Sequence, residues 1–186
     1  PFAPMPLPYE NTGLLPSFDP DTLYFHHDKI YSFYVNMLNY LVSSYSQLHS
    51  LCLKDLLTSD LHLPVAVENQ IQFYAGGIFN HDLYFTGMCS KPTGQPAGKL
   101  KEAIAAEYGS LDNFKKLFKQ ACFHVLGCGW VWLNAEKAGN IHIQITKDNQ
   151  PSSMESVTPP PGHRRLGARL FSAVSCPAGG LCGWLV

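Results

Sequence analysis

The sequence has few charged side chains and no excess of either sign. Charged residues make up 15% of the 186 positions, and the formal net charge is −1. This balance gives no electrostatic basis for binding nucleic acid or an anionic membrane surface. No apolar run approaches the roughly 20 residues that span a bilayer. The first residues lack a basic stretch before a hydrophobic one, so we expect no signal peptide.

The cysteines are too few and too scattered for a disulfide framework. Six occur, and no two form a CxxC pair. We therefore expect free thiols and a reducing, cytoplasmic location. Hydrophobic residues make up 46% of the chain, which suits one compact globular domain or two small ones.

Two long helices are predicted in the first half. Asp19 followed by Pro20 is typical of a helix start, with an N-cap aspartate and proline at the first helical position. Residues 22–44 continue that helix, and residues 65–88 form the second one. Two such helices joined by a short linker predict an antiparallel helical hairpin over residues 1–90. The inward stripe of the first helix is predicted to contain Leu23, His26, Ile30, Phe33, Met37 and Leu41.

The second half is predicted to be mixed. A turn-forming cluster at residues 91–96 marks the boundary. Helices follow at residues 97–108 and, after the N-cap Ser110, up to about residue 125. Residues 129–133 and 140–146 then alternate in the manner of a β-hairpin.

The tail has no steady period, and we expect no third strand from it. The fold class predicted is therefore α+β, with an N-terminal helical hairpin and a C-terminal α/β half whose small antiparallel sheet is truncated. The predicted C-terminal domain covers residues 91–159 and is incomplete. Residues 160–186 form a separate tail.

Two histidines are the main candidates for chemistry. His26 is predicted on the inward stripe of the first helix, with Tyr34 two turns later, and His81 lies in the second helix. Two neutral imidazoles that face one another across a hairpin can bind manganese, iron or zinc. A single buried histidine is more often a core residue, and Trp130 and Trp132 are by default core aromatics that can also wall a site.

Several motifs, in order, resemble the iron/manganese superoxide dismutase family from about residue 1 to residue 159. They are Leu7-Pro8-Tyr9, the segment Thr22–Lys29, the segment Tyr34–Asn39, Asn80-His81, Pro92-Thr93-Gly94, Ala103–Ala106 and Gly127–Leu133. The resemblance implies a redox metal that oxidises one superoxide and reduces the next, and usually a homodimer or tetramer.

The resemblance also implies roles for particular residues. His26 and His81 match two metal ligands, and Tyr34 matches a gateway tyrosine of the proton relay. Gln150 matches an outer-sphere glutamine that hydrogen-bonds the metal-bound solvent in manganese-type members. Iron-type members usually carry that glutamine at the position of Gly77, so the pattern favours manganese, with iron as the alternative. Trp130 is expected near the site.

Departures from the family pattern concern the site itself. Ile30 stands where a histidine is usual, Phe85 where a tryptophan is usual and Cys128 where a serine is usual. The Asp-Val-Trp-Glu-His-Ala-Tyr segment expected after Pro159 is absent. That segment would supply an aspartate ligand, a third histidine ligand and a glutamate that bridges subunits.

A shift of reading frame accounts for this absence. Read one base later, the codons of Leu166-Gly167 permit tryptophan, those of Gly167-Ala168 permit glutamate, and those of Ala168-Arg169 permit histidine. The same shift permits Leu-Leu-Val-Ile-Asp-Val-Trp-Glu-His-Ala-Tyr without a break over residues 160–171. We infer a frameshift near Pro159 or Pro160, either in the gene or in the sequencing read, and give the literal tail no functional role.

Two functions therefore compete on the sequence. The first is a superoxide dismutase of impaired activity. The second is a catalytically inactive remnant that folds as a helical hairpin and binds metal weakly through two histidines. A dedicated two-histidine metal carrier has less support, because the sequence shows no further ligand cluster.

Overall fold

A computed structural model describes residues 1–90, 95–136 and 138–152, together with the backbone of the strand Ser172–Ser175. The chain divides into two compact units, Pro1–Thr86 and Gly87–Val186. The first is helical and the second combines helices with a sheet, so the predicted α+β class is confirmed. None of the described helices is long and apolar enough to cross a membrane.

The first unit is built on two long helical stretches. Helix α1 is Pro20–Tyr24, a π-helical segment follows at Phe25–Tyr31, and α2 continues as Ser32–Ser43. The Asp19 carboxylate accepts a hydrogen bond from the Thr22 amide at 2.8 Å, which confirms the predicted N-cap. A short helix α3, Leu53–Thr58, leads to α4, Val65–Gly87.

The two stretches run antiparallel, because His26 packs on Phe85 near the end of α4 whereas Tyr34 packs on Tyr74 in its middle. The predicted inward stripe was wrong in part: Ile30 and Phe33 are 39% and 52% exposed. The buried positions of the first stretch are Leu23, Tyr31, Val35, Leu38 and Val42. A π-helix bonds each amide one residue further back than an α-helix does, so each turn holds more residues and the stripe moves forward along the sequence.

The second unit packs two helices on a sheet. Helix α5 is Gly98–Tyr108, and α6 is Leu111–Phe123, with the Ser110 hydroxyl accepting a hydrogen bond from the Asn113 amide as the predicted N-cap. Strands β1, Gly129–Ala135, and β2, Ile141–Lys147, pair antiparallel as predicted. The buried core between helices and sheet contains Ile104, Phe114, Phe118, Cys122, Val131, Leu133 and Ile141.

The expectation that the tail supplies no third strand was wrong. Strand β3, Ser172–Ser175, pairs antiparallel with β1, so that Gly129 lies opposite Ser175 and Trp132 opposite Ser172. The strand order is β2-β1-β3, which places β1 in the centre. Every residue of β1 from Gly129 to Asn134 is buried, and such a strand needs hydrogen-bonding partners on both edges. Strands pair through backbone hydrogen bonds. A four-residue segment can therefore pair with β1 even though its sequence shows no alternation of apolar and polar residues. The remainder of the predicted tail, residues 160–171 and 176–186, lies outside the described residues.

Candidate metal centre

The structure brings His26 and His81 together. His26 lies in the π-helical segment and His81 in α4, and their Nε2 atoms are 3.1 Å apart. The ring planes are perpendicular, with centroids separated by 5.1 Å. Two nitrogens that bind one metal at 2.0–2.1 Å, at angles between right and tetrahedral, lie about 2.8–3.4 Å apart. The observed separation therefore suits a shared metal ion.

The tautomer of His81 is set by its own helix. Its Nδ1 lies 2.6 Å from the carbonyl oxygen of Gly77, one turn earlier. A carbonyl can only accept, so Nδ1 carries the hydrogen and the Nε2 lone pair of neutral His81 points toward His26. Metal-ligating histidines commonly donate their other N–H to such an oxygen. Gly77, predicted to lie near the site, contributes here through its backbone, and both it and Gly76 are buried.

Burial keeps both imidazoles neutral near pH 7. Desolvation first, and then His27, lower the pKa of His26 from 6.5 to about 4. Desolvation and the proximity of His26 lower the pKa of His81 to about 3, although the bond to Gly77 works in the opposite direction. Because metal ligands must be deprotonated, the pair is prepared for a cation at physiological pH.

Aromatic rings surround the pair. Tyr34 lies 5.4 Å from the His81 ring, centroid to centroid, at an angle of 41°. Tyr84 and Phe85 lie 5.2 and 5.3 Å from the His26 ring. The predicted gateway residue Tyr34 thus lies beside the two predicted ligands.

A hydrogen-bonded group beside the site was missed from the sequence. The Tyr31 hydroxyl donates to the Asp82 carboxylate at 2.5 Å and accepts from the Met5 amide at 2.9 Å. His27 Nε2 donates to the Met5 carbonyl oxygen at 2.8 Å. The available signal was the tyrosine five residues after His26, but the uninterrupted α-helical phase assumed for that stretch gave Ile30 as the inward residue.

Trp130 and Gln150 belong to the second unit. Trp130 is buried and stacks on Trp132, with centroids 5.4 Å apart. Gln150 is exposed in the turn after β2, whereas the preceding Asn149 is 6% exposed and its Nδ2 has no hydrogen-bond acceptor among the described residues. The buried amide of this turn is therefore that of Asn149, and the outer-sphere role of Gln150 stays a prediction.

Two candidate ligands, His26 and His81, meet within the described residues. Within them, no cluster of three or more histidine, cysteine, aspartate or glutamate side chains is arranged to hold a metal ion. Two neutral imidazoles at the right separation fit manganese or iron as ligands, but an anionic donor is missing from this set. The residues therefore fit the metal as a partial, weak site.

Comparison with known proteins gives matches over most of the chain. Residues 2–89 match the alpha-hairpin domain of iron/manganese superoxide dismutases, and residues 96–161 match the C-terminal domain of the same family. A manganese superoxide dismutase of Leptolyngbya boryana is 34% identical over 151 residues, which are 81% of this chain and 60% of that protein. An iron superoxide dismutase of Bacteroides fragilis is 38% identical over 74% of this chain and 68% of its own length. A manganese superoxide dismutase of Listeria ivanovii is 33% identical over 82% of this chain and 75% of its own length.

Proposed function

The chain belongs to the iron/manganese superoxide dismutase family, and we propose that it converts superoxide to oxygen and hydrogen peroxide, with impaired activity in the sequence as it stands. The observation that carries the proposal is the 3.1 Å separation of the two Nε2 atoms of His26 and His81, in a pocket that keeps both rings neutral. The matched part spans 60–75% of the three relatives' lengths.

Manganese is the proposed metal, and iron is the alternative. Relatives of both kinds are similar to this chain. Iron-type members usually have a glutamine at the position of Gly77, and glycine has no amide side chain. The turn after β2, in contrast, contains two amide side chains, those of Asn149 and Gln150. Of these two, Gln150 is the residue that matches the family's outer-sphere glutamine, and we propose it as the donor toward metal-bound solvent.

The metal, when bound, would supply one-electron chemistry by alternating between trivalent and divalent states. The chain's own residues bind and orient it. His26 and His81 would hold it through Nε2, and the Gly77 carbonyl keeps the proton of His81 on Nδ1. Tyr34 is the proposed proton carrier, because it is the residue beside the pair that resembles the family's gateway tyrosine.

A catalytically inactive remnant that binds metal weakly is the second candidate. The observation in its favour is that the described residues give no third ligand next to the histidine pair. Without an anionic ligand the redox potential of a bound ion is not set for the reaction. Changes to outer-shell partners alone typically cost about 10–100-fold in affinity or activity, so a missing direct ligand should cost more.

Two measurements on the purified chain separate these candidates. Mn²⁺ binding is measured by titration, and superoxide removal by a cytochrome c reduction assay on the metal-loaded protein. We expect weak Mn²⁺ binding that His26→Ala and His81→Ala abolish and that the exposed control His124→Ala leaves unchanged. Measurable dismutase activity above that of free Mn²⁺ supports the first candidate, and none supports the second. Activity equal to that of an intact relative would refute the proposed impairment.

We base the proposed location on the cysteines and the proposed assembly on the family's usual oligomeric state. We propose a cytoplasmic location, and the four described cysteines (Cys52, Cys89, Cys122 and Cys128) are free, as a reducing compartment would keep them. A homo-oligomer is the family's usual form, and the subunit-bridging glutamate is part of the missing segment. We propose that the literal chain associates less tightly than its relatives, which gel filtration tests directly.

A further inference from the structure

Tyr31 lies next to the two histidines, His26 and His81, and is held both at its ring and at its hydroxyl. Its side chain is fully buried, and its ring is stacked on that of His81, with centroids 5.8 Å apart and planes inclined by 18°. The hydroxyl donates to Asp82 and accepts from the Met5 amide. Three parts of the chain therefore fix this one ring: the N-terminal segment, the π-helical segment and α4.

The ring of His81 needs this support. The hydrogen bond from Nδ1 to Gly77 fixes one ring atom in the ring plane, but the imidazole can still tilt about that bond. A stacked aromatic ring opposes the tilt, because tilting brings the imidazole against Tyr31 on one face. Phe85, inclined by 38° at 6.0 Å, packs on the same ring. Only with the tilt restricted does Nε2 keep its direction toward His26.

We propose that Tyr31 is a positioning residue for the histidine pair, His26 and His81. Its stacked ring, anchored by Asp82 and Met5, keeps Nε2 of His81 at a distance from Nε2 of His26 at which both can bind one metal ion. The Tyr31 hydroxyl is directed to Asp82 and the Met5 amide, and the group that faces His81 is the ring. The consequence for metal binding rests on the proposed function. The consequence for the orientation of His81 does not.

The test compares four variants. Tyr31→Phe keeps the ring and removes the two hydroxyl bonds, and Tyr31→Leu also removes the stacking. Tyr9→Phe is the matched hydroxyl control, because the Tyr9 hydroxyl donates at 3.1 Å to a backbone oxygen, that of Phe85, and its own bond is not to a histidine. Leu38→Ala is the control for lost stability, since Leu38 is fully buried in α2.

Two readouts are used. In the metal-free protein, NMR measures how fast the Hδ1 proton of His81 exchanges with water. We expect Tyr31→Leu to accelerate this exchange by about tenfold relative to Leu38→Ala at equal stability, and Tyr31→Phe to do so less. The second readout is the dissociation constant of Zn²⁺, a diamagnetic probe. We expect it to rise by about tenfold in Tyr31→Phe and up to about 100-fold in Tyr31→Leu.

The outcomes distinguish the two proposals. Exchange and Zn²⁺ affinity that are the same in Tyr31→Leu as in Leu38→Ala would overturn the positioning role. Zn²⁺ affinity that is unaffected by His26→Ala and His81→Ala would instead overturn the metal site, while Hδ1 exchange still decides the role of Tyr31. Recovery of slow exchange in Tyr31→Phe relative to Tyr31→Leu supports positioning through the ring.

Discussion

At the scale of single residues, His26 and His81 make the fold sensitive to acid. Their pKa values are about 4 and about 3 in the folded protein, whereas a histidine in the unfolded chain titrates near 6.5. Between these values the unfolded state binds protons that the folded state does not. The free energy of unfolding therefore falls as the pH drops from about 6.5 through 4.

We predict a loss on the order of a few kcal/mol over this pH window in the metal-free protein. Asp82 has the opposite effect on the free energy of unfolding. Burial raises its pKa, so the folded state binds its proton at a higher pH than the unfolded state does. The measurement is urea unfolding at a series of pH values. His81→Gln should give a shallower pH dependence between pH 4 and 6.5, and the exposed control His124→Gln should not. Parallel curves for all three proteins would contradict the prediction.

The sequence predicted the meeting of His26 and His81 because each lies in a recognisable motif on one of two long helices. The support given by Tyr31 was not predictable in the same way. Its burial depends on the π-helical segment Phe25–Tyr31, and intrinsic helical patterns do not distinguish an α-turn from a π-turn. The sequence therefore predicted correctly that the two histidines face one another, and incorrectly which residues pack behind them.

At the scale of elements, the sheet depends on polar contacts as well as on its apolar face. The Ser152 hydroxyl is completely buried and donates to Asn134 Oδ1 at 2.5 Å, while the Asn134 amide donates to Gln144. Trp132 Nε1 donates to Thr146 Oγ1 at 2.9 Å. The segment after β2 is thus tied back onto β1, and further side-chain bonds join β1 to β2.

We predict that Ser152→Ala destabilises the protein by about 1–3 kcal/mol, because it leaves the oxygen of a buried amide with one donor fewer. Ser46→Ala, at an exposed position, is the control. Chemical denaturation gives both values. An equal, small effect of the two substitutions would show that water or another group replaces the lost donor.

Strand β3 gives a second prediction at this scale. Ala173 lies opposite Val131, and proline at that position removes the backbone N–H and fixes φ near −65°, away from the extended values of an antiparallel strand. We expect Ala173→Pro to increase amide exchange in residues 129–132 by about tenfold and Ala173→Val to leave it unchanged. Hydrogen exchange of β1 measures both. Unchanged protection in the proline variant would mean that this edge of β1 does not depend on β3.

The two strands of the hairpin were predicted because β1 and β2 alternate and are joined by a turn. The third strand was not, because Ser172–Ser175 is short and lies in a segment without periodicity. Pairing on the free edge of a buried central strand is determined by the backbone, which side-chain patterns do not report.

At the scale of the whole molecule, the inferred frameshift rests on the incomplete set of ligands. The described residues bring together no more than two candidate ligands, and the family match ends at residue 161, where the expected ligand segment should begin. Sequencing of the gene around the Thr158 codon decides the question, and a stop codon or unrelated residues in the shifted frame would refute the inference.

We predict that a chain with the shifted frame after Pro160 binds one Mn²⁺ per subunit tightly and gains stability from it. A ligand present at 100 times its dissociation constant stabilises the native state by about 2.7 kcal/mol. The melting temperature should therefore rise clearly with Mn²⁺ in the restored chain and little in the literal one. Scanning calorimetry with and without Mn²⁺, and with a chelator as control, measures the difference.

The carbonyl of Gly77 offers a way to observe the His81 imidazole by vibrational spectroscopy. In a regular α-helix this oxygen already accepts the backbone amide of residue 81, and here it also accepts the imidazole proton of the same residue. Two donors on one carbonyl weaken its double bond and lower its stretching frequency. A ¹³C=¹⁸O label at Gly77 would therefore give an infrared band, separate from the rest of the amide absorption, that moves up when His81 gives up or relocates its Nδ1 proton. A single backbone oxygen, without any added probe group, would thus report the protonation state of a side chain one helical turn away.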